Sequence, residues 1–62
     1  MSGAAETLVK LAEQRLREAN QSLDQAKREP DTNVRNHKIA EAQAAIGRAE
    51  AELREARYHG RE

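Results

Sequence analysis

The sequence predicts an all-α protein: an antiparallel two-helix hairpin, closed along an Ala-rich coiled-coil seam and dimerising into a four-helix bundle. Three observations carry this expectation. Ala, Glu, Arg, Gln and Leu dominate a chain that has one aromatic residue, Tyr58, and few β-branched ones, which is the composition of long helices rather than sheets. Two runs of apolar residues recur at alternating steps of 3 and 4, the spacing of a heptad. Between the runs stands Pro30–Asp31–Thr32–Asn33, the strongest break in the pattern. The chain reads as a single domain, with helix 1 over about 4–29, the turn at 30–33 and helix 2 over about 34–59.

Helix 1 has Ser2 as a candidate N-cap, because its hydroxyl accepts from a free backbone N–H. Its apolar stripe is Ala5, Val9, Ala12, Leu16, Ala19, Leu23 and Ala26. The large residues Val9, Leu16 and Leu23 fall at heptad position a and the alanines at d. Lys27 and Arg28 suit the negative pole of the helix. Pro30 cannot continue the helix and disfavours helical geometry at Glu29.

Asp31, Thr32 and Asn33 are turn and N-cap residues. Helix 2 then carries Ile39, Ala42, Ile46, Ala49, Leu53 and Ala56, again with the large residue at a and Ala at d. It is expected to end near His59, with Gly60 at C′ and Arg57 and His59 at the negative pole. The heptad phase changes across the break, which disfavours one unbroken rod.

Antiparallel pairing of the two stripes sets a residues against d residues. The pairs are Ala26 with Ile39, Leu23 with Ala42, Ala19 with Ile46, Leu16 with Ala49, Ala12 with Leu53 and Val9 with Ala56. Every pair is symmetric about the point between Thr32 and Asn33. Each layer opposes one bulky aliphatic to one Ala, so the helices approach near the short end of the usual ~8–10 Å interaxial range. The same register sets Arg15 near Glu52, Glu29 near Lys38, Glu6 near Arg57 and Asn20 near Gln43, with Glu13 and Glu50 as a like-charge pair. Two extended chains crossing antiparallel satisfy the same pairing; Pro30 and the polar turn favour the hairpin.

Composition bounds the function. Sixty-two residues hold a small core, and such chains need staples, regular helix packing or a second subunit. There is no Cys, so disulfides and thiolate metal sites are excluded, and His37 and His59 have no ligand spacing around them. A net charge of zero argues against a general binder of nucleic acid or anionic membranes. The apolar runs are too short to span a bilayer, and the N-terminus has neither the basic start nor the apolar stretch of a secretory signal. A cytoplasmic protein is expected. The carboxylates lie among Arg and Lys on exposed helix faces, and a hairpin has no concavity in which to tune them. No catalytic residue, cofactor site, metal site or small-molecule substrate is therefore assigned.

Several residues fall outside the seam. Leu8, Leu11, Val34 and Tyr58 are apolar and off-stripe; Leu8 and Leu11 lie together near the open end of the hairpin. Arg15, Ser22 and Ala45 share the flank of Leu8, and Ala40 and Gly47 sit on the opposite flank. The candidate partner-binding residues are Leu8, Leu11, Tyr58, Arg15 and Ala45; the alternative is scattered surface apolar residues, which are common. Lys27, Arg28, Arg35, His37 and Lys38 make the turn end basic, a candidate nucleic-acid contact, although no aromatic residue is near for stacking.

In architecture the chain is similar to the Rop-type RNA-binding hairpins, which pair into a four-helix bundle through tight Ala-containing helix packing. The resemblance covers helix, turn and helix and transfers no residue. It implies a homodimer and, more weakly, a nucleic-acid ligand; fold alone does not fix function. The expected function is a small non-enzymatic protein–protein interaction module of the adaptor or inhibitor type, acting on a protein partner or on itself. The alternative is a Rop-like nucleic-acid binder using the basic tip; a third is a spacer arm of a larger protein.

Overall fold

Both heptad runs form continuous helices, and the chain folds back between them. The computed structural model describes residues 3–60, without the side chains of 59 and 60. It contains two packed α-helices, α1 (Gly3–Lys27) and α2 (Thr32–Gly60). Ser2, expected as an N-cap, and the His59 side chain lie outside the described residues.

Helix α1 stops two residues before the expected end. A proline ring clashes with the carbonyl four residues back and supplies no N–H, which here means Ala26 and the residues after it. The chain responds by tightening. The Arg28 N–H donates to the Gln25 carbonyl at 3.1 Å and the Glu29 N–H to the Ala26 carbonyl at 3.2 Å, the short i→i−3 bonds that close many helix ends.

Helix α2 starts two residues earlier than expected because Asp31 is its N-cap. The Asp31 carboxylate accepts from the Val34 N–H at 2.9 Å, and its carbonyl accepts from the Arg35 N–H at 2.8 Å. Thr32 and Asn33 are thus the first helical residues rather than turn residues. The Arg35 guanidinium donates back to the Glu29 carbonyl at 3.2 Å, tying the two sides of the turn together. The reversal uses no residue with positive φ among those described, in keeping with a turn that contains no glycine. At the other end α2 continues through Gly60, so Gly60 is not the C′ residue the sequence suggested.

The core lies where the two stripes meet. Ala12, Ala19, Ala26, Ala42, Ala49 and Leu53 are buried, at 4–8% exposure. The other stripe residues, Ala5, Val9, Leu16, Leu23, Ile39, Ile46 and Ala56, are half-buried. The inversion of size and burial has a simple cause. The short Ala side chains of the central layers stay between the helices, whereas most of the longer ones extend past the seam edge, where two helices supply no third wall; Leu53 is the exception. No polar or charged residue is buried among those described. The hairpin measures 49 × 13 × 9 Å between Cα extremes.

Ion pairs span the two helices at two levels of this register. Arg15 donates to Glu52 at 2.7 Å and Lys38 to Glu29 at 3.0 Å, both as expected. On the opposite flank the partners of Arg57 and Asn20 differ from those expected. Arg57 pairs with Glu13 at 3.7 Å rather than with Glu6. The Asn20 amide donates to the Leu16 carbonyl within its own helix at 3.1 Å, not to Gln43.

Candidate interaction surface

One flank of the hairpin combines the leftover apolar residues with small ones. It is the side on which α1 presents Leu8, Arg15, Ser22 and Glu29, each seven residues apart, and α2 presents Lys38, Ala45 and Glu52. Heptad spacing stacks each set in a row along its helix. Where the row residues are small, the surface dips.

Two shallow grooves result. The groove at the open end is lined by Leu8, Leu11, Ala12, Arg15, Glu52, Glu55 and Ala56. Leu8 is 53% exposed and Leu11 45%, so both side chains form the wall of this groove without filling it. The Arg15–Glu52 bridge closes its lower edge. The groove at the turn end is lined by Ser22, Gln25, Ala26, Lys38, Glu41, Ala42 and Ala45. Ser22 and Ala45 let the surface fall to the buried alanines Ala26 and Ala42.

Four of the five expected partner-binding residues therefore share one flank: Leu8, Leu11 and Arg15 in one groove and Ala45 in the next. Tyr58 does not join them directly. Its ring, 64% exposed, stands on the outer face of α2 beside Ala51, Arg54 and Glu55. Glu55 borders both concavities and separates Tyr58 from the leucines.

The outer face of α2 carries a second stripe, outside the seam, of which Ala40 and Gly47 were legible from the heptad. Ala40, Ala44, Gly47 and Ala51 recur at steps of 4, 3 and 4 and are all exposed. A Cβ added at Gly47 would meet nothing within 4 Å, so the hairpin itself does not require glycine there. A tally of apolar residues on both faces of α2 would have shown this stripe.

The basic residues of the turn end gather at one tip but are largely engaged. Lys38 pairs with Glu29, and His37 Nε2 lies 3.5 Å from Glu41, an ion pair when the imidazole is protonated. Arg35 reaches the Glu29 carbonyl and, at 3.5 Å, the Thr32 hydroxyl. With α2 starting at Thr32, these cations sit beyond its first three residues, and the Asp31 carboxylate faces the positive pole. Lys27 and Arg28 form no ion pair among the described residues. Also among the described residues, no cluster of three or more His, Cys, Asp or Glu side chains could hold a metal ion. No described helix is long and apolar enough to cross a membrane.

Fold and surface together define a two-helix hairpin with one apolar-and-small flank. No protein-family profile matches the chain, and no curated protein or solved structure is significantly similar to it.

Proposed function

We propose that the chain is a small non-enzymatic protein–protein interaction module, of the adaptor or inhibitor type, that works in the cytoplasm through the Leu8–Leu11 flank of its hairpin. One observation carries the reading: two leucines stand about half exposed, side by side, on a molecule in which Leu53 is the one large buried side chain among the described residues. A partner helix laid in that groove would cover Leu8 and Leu11. It would also cover the half-buried stripe residues that two helices leave open, as the third or fourth helix of a coiled-coil-like bundle does.

The nucleic-acid reading ranks second. Lys27 and Arg28 favour it; the engagement of Arg35, His37 and Lys38 by acidic and carbonyl groups at the same tip weighs against it. The two readings separate in one experiment. Leu8→Glu with Leu11→Glu is expected to abolish protein association while leaving helicity unchanged. Arg35→Glu with Lys38→Glu is expected to leave that association intact. An RNA affinity that falls steeply with salt and is lost in the Arg35/Lys38 variant would reverse the ranking.

A further inference from the structure

We infer that the partner on this flank is a second copy of the chain, lying alongside the first with both turns at the same end. The two copies would be related by a two-fold axis parallel to the hairpin. The inference rests on the reading of the Leu8 flank as the interaction surface, and adds the occupant and its orientation.

The charge order along the flank points to this arrangement. From open end to turn, the levels are Leu8 and Leu11 beside Ala56, then Arg15 with Glu52, then Ser22 with Ala45, then Glu29 with Lys38. Each bridged level holds one cation on one helix and one anion on the other, with Glu55 bordering the leucine level and Glu41 the groove beside Lys38. A copy turned by half a revolution about the long axis lays its α2 against α1 of the first at the same level. Arg15 then meets Glu52 of the second copy as well as its own, and Lys38 meets a second Glu29. Both levels become rings of alternating charge. The leucines of the two copies cluster at the open end, and the small level of Ser22 and Ala45 lets the hairpins close in the middle.

The opposite orientation, turns at opposite ends, fails on the same residues. It sets Leu8 and Leu11 at the level of Glu29 and Lys38, covering charged groups with leucine side chains, which is costly. Area agrees with a partner of this size. The chain exposes 4812 Å², whereas a compact monomer of 7.0 kDa exposes about 4,000 Å². The excess of roughly 800 Å² comes from the elongated shape of the hairpin and is of the order of one partner's share of a standard interface.

The full chain lacks Cys, so Asn33→Cys places a single spin label at the exposed turn tip. Sedimentation equilibrium over a wide concentration range is expected to show a dimer. The labels are then expected to lie within about 25 Å of each other, since neighbouring helix axes are ~8–10 Å apart. Labels separated by nearly the 49 Å hairpin length would overturn the orientation, and a helical monomer at every concentration would overturn the second copy as occupant. The latter would leave the flank open to a different protein. A dimer unchanged by Leu8→Glu with Leu11→Glu would instead remove the flank itself, and the inference with it. Arg15→Glu is expected to weaken the dimer about tenfold or more, and Glu52→Arg added to it to restore the affinity. An unaltered affinity in Arg15→Glu would refute the charge rings.

Discussion

Inverting one seam layer tests the packing rule on which the hairpin depends. In the register that Arg15–Glu52 and Glu29–Lys38 span, Ala12 lies opposite Leu53. Leu53 is 7% exposed and Ala12 4%. Leu53→Ala removes a nearly fully buried isobutyl group. Buried Leu→Ala changes cost about 2–5 kcal/mol. The low end, about 2–3 kcal/mol, applies here because the site borders an open groove between Leu16 and Arg54 and solvent can enter it. Ala12→Leu forces extra volume between two closely spaced helices, at about 1–3 kcal/mol. Both losses are large beside the roughly 3–9 kcal/mol expected for a domain of this length. The double variant conserves the volume of the layer and exchanges only which helix carries the large residue, so its loss should stay below about 1.5 kcal/mol. The coupling between the two sites is then at least about 1.5 kcal/mol, and about 3 kcal/mol for mid-range single losses, as for residues in direct contact. Urea unfolding followed by far-UV circular dichroism, at a concentration where the chain is monomeric, measures all four corners of the cycle. A double variant as unstable as the sum of the singles would show that Ala12 and Leu53 do not share a layer, and the register would fall.

Two further changes test the ends and the outer face. Asp31→Ala should cost about 0.5–2 kcal/mol by removing the N-cap of α2, and Asp31→Asn should recover most of it; equal losses in both would show that the Val34 N–H bond contributes nothing. Gly47→Ala should stabilise the monomeric hairpin by up to about 1 kcal/mol, because Ala is the better helix former and its methyl has free space. A thermal melt at low concentration reads this, and a lower melting temperature would mean that the face around Gly47 is covered.

The residues whose misplacement is costly were the legible ones. All thirteen stripe positions, from Ala5 to Ala56, are buried or half-buried, because a shift in helix phase would expose every one of them. The two ion pairs on the Leu8 flank followed from the same spacing. What the sequence left open involves small energy differences. Arg57 had Glu6 and Glu13 both within reach of a long side chain, and exposed pairs differ by less than ~1 kcal/mol. The helix ends moved by two residues each because Thr32 and Asn33 suit a turn as well as a first helical residue, and only the Asp31 carboxylate decides between them. The interaction surface was legible as residues but not as a shape. Heptad position placed Leu8, Arg15 and Ala45 on one flank, yet the separation of Tyr58 from the leucines depends on which side of Glu55 its ring lies.

Burying alanine rather than leucine also sets how the hairpin responds to temperature. Five of the six buried residues among those described are Ala, so unfolding hydrates little apolar surface and the heat-capacity change is small for the length of the chain. The stability curve is correspondingly flat, with neither a sharp optimum nor a pronounced loss on cooling. An unfolding enthalpy of about 40 kcal/mol for a chain of this length spreads the melt over roughly 20 °C. Helicity should therefore fall gradually with heat, and the half-open seam acts as a shallow thermal gradient rather than a switch.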